Sequence, residues 1–251
     1  MRKSEADSNI IFGRHPVLEA LQSEQEIERV VLLQGTRGEF EKEIRHACRN
    51  RDIPLIVSPK ERLDRLVRGN HQGVIAFAAL IHFQSVDDVL AAAFESGETP
   101  LLLMLDGITD VRNFGAIARS AECSGVHGII LPAKGSAQIN AEAIKTSAGA
   151  LLNIPVCRVN SLVSTLERLQ DSGIQAFAGD LQAKHPLFEL DLTTPTLLIA
   201  GAEGEGVQRA LLHRVNKRFI IPQAGTTNSF NVSVAIGIML YETMRQRKTG
   251  L

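Results

Sequence analysis

Short apolar runs alternate along this chain with stretches whose apolar positions recur every three or four residues, the pattern of strands alternating with helices. VVLLQ (30–34), LIVS (55–58) and GVIAFAAL (73–80) read as buried strands, with Phe40, Ile44 and Cys48 at helical spacing between the first two. Ser58-Pro59-Lys60-Glu61 predicts a capping box with proline at the first helical position, for a helix ending at Gly69. From residue 100 the alternation strengthens. LLLMLD (101–106), GIILP (128–132), IPVCRV (154–159), IQAFAG (174–179), TLLIAG (196–201) and RFIIP (218–222) predict strands. Helical patterns at 113–124, 140–151, 161–172, 206–214 and 231–246 separate most of them.

Strands apolar on both faces and alternating with helices predict an α/β fold, a mainly parallel sheet covered on both sides. Residues 81–98 hold four acidic side chains and no Lys or Arg, around an alanine-rich stretch. This predicts a capped helix starting at Ser85, and the division 1–81, a linker at 82–99, and a second domain at 100–251. The helix from Val232 to Tyr241 is apolar nearly all round, which predicts burial on every side.

Composition narrows the class. The 251 residues are 44% hydrophobic and 22% charged, which excludes disorder and collagen-like repeats. The longest apolar runs stop at eight residues, too short to span a membrane, and the polar start MRKSEADSN has no signal-like core. Three widely separated cysteines fit neither a disulfide framework nor a zinc site, so no metal and a cytoplasmic setting are expected. The net charge is −1, so an anionic partner needs local patches. In the first domain Arg45, Arg49 and Arg51, then Lys60, Arg62, Arg65 and Arg68, are candidates for phosphate contacts, although runs of this kind are also ordinary solvated helix faces.

Ligands on parallel sheets sit in the loops beyond the carboxyl ends of strands. Three such loops are polar and glycine-rich. In DGITDVRNFGAIARSAECSG (106–125), Asn113 and Arg119 flank a helix start suited to ribose or anion binding. On that segment alone the plainer reading, a capping Asp110 and a solvated Arg119, has the advantage. GAEGEGVQRALL (201–212) has the glycine order G-x-x-G-x-G, unlike a dinucleotide fingerprint, and its glutamates at 203 and 205 would repel a pyrophosphate. A neutral or cationic ligand suits it better, and a plain glycine turn explains the spacing as well. In IPQAGTTNSFNVSVAIGIMLYE (221–242), Ser229 or Asn231 can cap the apolar helix.

Together these three segments, in order and spacing, resemble the three motifs of the SpoU (TrmH-like) branch of the SPOUT RNA methyltransferases. The resemblance rests on Asn113 and Arg119, on Gly201 and Glu203, and on Ser229, Asn231 and the NVSVA run, across 100–246. IIFGRHPVLEAL (10–21) and HQGVIA (71–76) resemble the ends of the small L30e-like substrate-binding domain of two-domain members. Phe230 stands where the family usually has leucine, and Gln223 where methionine is common.

The resemblance implies a knotted (deep trefoil) methyltransferase domain at 100–251, an L30e-like RNA-binding domain at 1–81, and a homodimer with a shared active site. It implies S-adenosylmethionine as methyl donor and the ribose 2'-hydroxyl of a guanosine in 23S rRNA, naked or in a large-subunit assembly intermediate, as acceptor. Transfer to tRNA or other rRNA is the alternative, and a non-enzymatic RNA-binding protein the remote one. It makes Asn113, Arg119, Glu203, Ser229 and Asn231 the catalytic set, with the donor on backbone near Gly201, Ile221 and Phe230. Glu203 would attract the sulfonium or orient Asn113 and Arg119. Arg119 would clamp a phosphate and stabilise charge developing on the attacking oxygen.

Overall fold

The computed structural model describes residues 9–249, so the polar start at 1–8 lies outside the described residues. The chain forms two compact units, one running up to His82 and including Ile139–Ala141, the other comprising Phe83–Gln138 and the chain from Glu142 onward.

The first unit holds β1 (Ile10–Phe12), α1 (Arg14–Gln22), β2 (Ile27–Leu33), α2 (Glu39–Asn50), β3 (Leu55–Ser58), α3 (Lys60–Leu66) and β4 (Val74–Ala78), with sheet order β1-β4-β2-β3. Only β2 and β3 run parallel. Alternation along β2 decides which helix covers which face. Val30 and Leu32 pack with Val17 and Leu21 of α1 and Ile44 and Cys48 of α2. Val31 points the other way, into Leu63 of α3, Ile75 and Phe77. The expected capping box does not form. Ser58 is buried as the last residue of β3, Pro59 is the N-cap without a side-chain bond, and α3 stops at Leu66 instead of reaching Gly69. Arg51 donates to the carbonyls of Ala20, Leu21, Ser23 and Gln25, closing the carboxyl end of α1.

The second unit holds β5 (Phe83–Gln84), α4 (Val86–Glu95), β6 (Leu101–Asp106), α5 (Val111–Cys123), β7 (Gly128–Pro132), α6 (Ala141–Thr146), β8 (Val156–Val159), α7 (Leu162–Asp171), β9 (Gln175–Gly179), β10 (His185–Pro186), β11 (Thr196–Gly201), α8 (Arg209–Leu212), β12 (Lys217–Ile220) and α9 (Val232–Thr249). Its eight strands lie in the order β10-β12-β9-β11-β6-β7-β8-β5, with every pairing parallel. On one face Leu102, Met104, Ile130, Leu197 and Ile199 pack with α4, α7 and α8. The alternate positions Leu101, Leu103, Leu105 and Leu198 are equally buried, and α5 and α9 pack together and supply Phe114, Ile117, Ile236 and Leu240 to the core.

Two expectations read differently in three dimensions. The segment 82–99, expected as a linker, contributes β5 to the sheet edge and α4 to the core, because Val86, Val89, Leu90 and Ala93 form one apolar stripe. Ser85 does cap that helix, accepting from the Asp88 amide at 3.0 Å. Helix α9 is not buried all round: Ile236, Met239 and Leu240 are inside, whereas Val234 is 50% and Tyr241 66% exposed.

Candidate active site

The sheet positions the three loops. β6 and β11 are neighbours at its centre, and their register ends with Gly201 beside Asp106, so the first two loops leave side by side. Asp110 caps α5, its Oδ1 accepting from the Asn113 amide at 2.7 Å. The plain capping role is therefore real, and it also fixes Asn113 at the helix start.

The loop after β11 is folded hard on itself. The Gly206 amide donates to the Ala202 carbonyl at 2.9 Å, and a Cβ on Gly201 would overlap the backbone of Gly206 and Val207. Glycine at 201 is thus required by close approach of backbone to backbone. The fold carries Glu203 across to α9, where its Oε1 accepts from Asn231 Nδ2 at 2.8 Å and from the Val232 amide at 3.2 Å. Asn231 Nδ2 also donates to Asn113 Oδ1 at 3.1 Å, while Asn231 Oδ1 accepts from the Ser233 amide at 3.0 Å and its hydroxyl at 2.6 Å. Asn231 is therefore the helix cap, and Ser229, exposed in the preceding loop, is not.

Asn113, Glu203 and Asn231 thus meet from three loops far apart in sequence. Glu203 reaches Asn113 only through Asn231. Arg119 stands apart: six residues along α5, about 9 Å of helix rise from Asn113, its side chain exposed and with no hydrogen bond or ion pair to another described residue. Gly201 and Ile221 are half-buried at the ends of β11 and β12, and Phe230 is 38% exposed beside Asn231. Residues 222–230 make no backbone–backbone hydrogen bond to a described residue, which leaves their amides and carbonyls available to a ligand.

The candidate RNA-binding arginines divide. Arg45 and Arg49 lie on α2, on one side of the first sheet, and Arg62 and Arg65 on α3, with Arg68 just after it, on the other. Arg45 is paired with Glu41 at 2.8 Å. At the end of the sheet where α1 begins, Arg14, His15 and Gln72 line a hollow of 460 Å³, a grouping invisible in the sequence because Gln72 lies 58 residues from Arg14. Sequence reasoning also assigned no role to Asp106 and Gln208. A carboxylate at a strand end was the available signal, but its partner lies 102 residues away. The 540 Å³ hollow beside Leu101 lies at the opposite end of β6. Its Arg247 bonds the carbonyls of Thr99, Pro100, Leu192 and Thr194, tying loops together. Among the described residues there is no cluster of three potential metal ligands, and no helix is long and apolar enough to cross a membrane.

A parallel α/β sheet with three polar loops converging beyond its central strands defines a class, and comparison with known proteins specifies the family. The model of the SpoU rRNA Methylase family matches residues 100–241, and that for RNA 2'-O ribose methyltransferase substrate binding matches 10–84. The chain belongs to the SpoU rRNA methylase family. It is 38% identical to the 23S rRNA (guanosine-2'-O-)-methyltransferase RlmB of Yersinia pestis, over 96% of this chain and 98% of that one. To the RlmB of Escherichia coli K12 it is 36% identical, over 96% and 99%. In fold it is similar to the SpoU methyltransferase AviRb of Streptomyces viridochromogenes, solved with AdoMet, at TM-score 0.62 and 24% identity over 96% of this chain and 91% of that one. A TrmH/SpoU tRNA modifying enzyme of A. aeolicus matches at TM-score 0.57 and 32% identity, over 61% and 78%.

Proposed function

We propose that this protein transfers a methyl group from S-adenosylmethionine to the ribose 2'-hydroxyl of a guanosine in 23S rRNA, free or in a large-subunit assembly intermediate. The observation that carries the reading is the convergence of Asn113, Glu203 and Asn231 beyond β6 and β11. Near-full-length similarity to RlmB proteins supports the substrate, against the tRNA alternative.

The residues fit a sulfonium-bearing nucleoside. The backbone of 222–230, without backbone–backbone bonds to described residues, would offer donors and acceptors to an adenine, with Gly201 and Ile221 at the adjoining strand ends and Phe230 as an apolar neighbour. When bound, the donor supplies an electrophilic methyl. The attacking oxygen must be held in line with it, and its proton must leave. Asn113 presents its Nδ2 to the ribose, held by Asn231, whose own amide is committed to Asn113, Glu203 and Ser233, and Ser229 is a further hydroxyl in the loop before the helix. Arg119 is the phosphate clamp. A guanidinium stays protonated, so its part is to hold the neighbouring phosphate and stabilise charge on the oxygen, with phosphate or solvent taking the proton. Glu203, already accepting two hydrogen bonds, orders Asn231.

The knotted path of the family and a homodimer sharing its site belong to the same reading. Support for the dimer is the bare Val234 and Tyr241 on an otherwise packed helix, and a second copy is the occupant proposed for that face. Arg119, remote from the cluster, fits a site completed by two chains. The test is transfer of labelled methyl to unmodified 23S rRNA and, separately, to tRNA, with mass spectrometry of the digested nucleosides. The expected product is 2'-O-methylguanosine in rRNA. Label only in tRNA would overturn the substrate, and no label in either or in precursor particles would overturn the activity.

A further inference from the structure

Glu203 works at a distance from the sheet, on a loop that contains Gly204 and Gly206, both at positive φ. The bond from the Gly206 amide to the Ala202 carbonyl closes 202–206 into a turn of its own, so what is left to fix is the aim of that turn as a unit, and this is set at the ends of the loop. One end is fixed by strand pairing, with Gly201 in register beside Asp106. The other end returns to the same residue: the Gln208 amide donates to Asp106 Oδ2 at 2.7 Å, and Gln208 Nε2 donates to Asp106 Oδ1 at 3.1 Å. Both oxygens of one carboxylate are thus spent closing the loop. Val207, between, is buried in the sheet core and holds the closure down.

We propose that Asp106 is a positioning residue, which locks the 201–208 loop through Gln208 so that Glu203 stays on Asn231 and the Val232 amide. This deepens the proposed methyl transfer and rests on it for the consequence in catalysis, not for the lock. Asp106 acts by hydrogen-bond geometry, so its charge is dispensable. An amide at 106 can accept from the Gln208 backbone and donate to Gln208 Oε1 once that side chain turns over.

The test uses the full chain with S-adenosylmethionine and 23S rRNA, and reads kcat, KM and the hydrogen-exchange rate of the Val232 amide. Asp106→Ala is expected to lower kcat at least tenfold with the KM for RNA within twofold, and to speed Val232 exchange at least tenfold. Asp106→Asn is expected to stay within about twofold of the parent in both readouts. Gln208→Glu sets two carboxylates face to face and should behave as Asp106→Ala does, while adding Asp106→Asn to it should restore both readouts. The proposal is overturned if Asp106→Asn is as impaired as Asp106→Ala, if the double variant fails to recover, or if Val232 exchange is unchanged in Asp106→Ala. The paired variants keep the test decisive even if Asp106→Ala fails to fold. A parent without methyl transfer on any RNA overturns the functional reading, and the exchange arm still decides the lock.

Discussion

At the residue scale the site is a division between side chains that hold one another and one that does not. Asn231 bonds both Asn113 and Glu203, whereas Arg119 is exposed. A clamp on phosphate needs the planar fork of arginine, so Arg119→Lys should lower kcat at least tenfold while leaving the fold intact; near-normal turnover would remove this geometry. The cysteines test burial directly. Burial pushes the Cys48 thiol up to about 11, against a smaller opposing pull from Arg51, and burial with Asp88 and Asp87 pushes Cys157 up to about 12. Thiolate is the reactive form and is scarce well below those values. Titration with a thiol reagent at pH ~8 should therefore modify exposed Cys123 promptly and the other two only on unfolding. The identities of the bonded trio were legible in sequence through their motifs. Which atoms meet was not, because Asn231 is 118 residues from Asn113 and only the parallel sheet makes them neighbours.

At the scale of elements, packing explains residues that the motif alone leaves unexplained. Gly115 lies inside α5, where a Cβ would stand 2.7 Å from Thr146 Cβ and 2.9 Å from the Ala143 carbonyl oxygen. Gly115→Ala should cost about 1–3 kcal/mol in chemical denaturation, since overpacking outweighs the gain in helix propensity. On the first unit α2 and α3 cover opposite faces of the sheet, so their arginines start from opposite sides of it. We take the α3 side as the candidate to test first, since Arg45 on α2 already has an ion-pair partner in Glu41. Replacing Arg62, Arg65 and Arg68 by Gln should reduce the salt slope of RNA binding by roughly 0.7 to 0.9 for each phosphate no longer neutralised, and replacing Arg45 and Arg49 should leave it unchanged. The strand cores were readable from apolar runs; the short β5 and β10 were not, since two residues carry no periodicity. Helix 206–214 shrank to Arg209–Leu212 because its first residues are used in the tight turn and the Gln208 anchor.

At the scale of the whole molecule, the bare face of α9 is the feature a single chain does not explain. Substituting both Val234 and Tyr241 with Glu should convert a dimer into a monomer by light scattering, and abolish methyl transfer if the site is shared; a monomeric parent would refute the pairing. The sequence by itself determined the α/β alternation, the central strands, the cap at Asp110 and the family, since local periodicity and ordered motifs are properties of neighbours along the chain. Only the tertiary structure decided that Phe83–Gln84 joins the second sheet and the helix after it the core, that the arginines of two consecutive helices lie on opposite sides of the first sheet, and that Glu203 bonds Asn231 while the Gln208 amide bonds Asp106. Those facts depend on strand order and register, which place residues a hundred positions apart within hydrogen-bond reach, and no local pattern encodes which distant strand will be the neighbour.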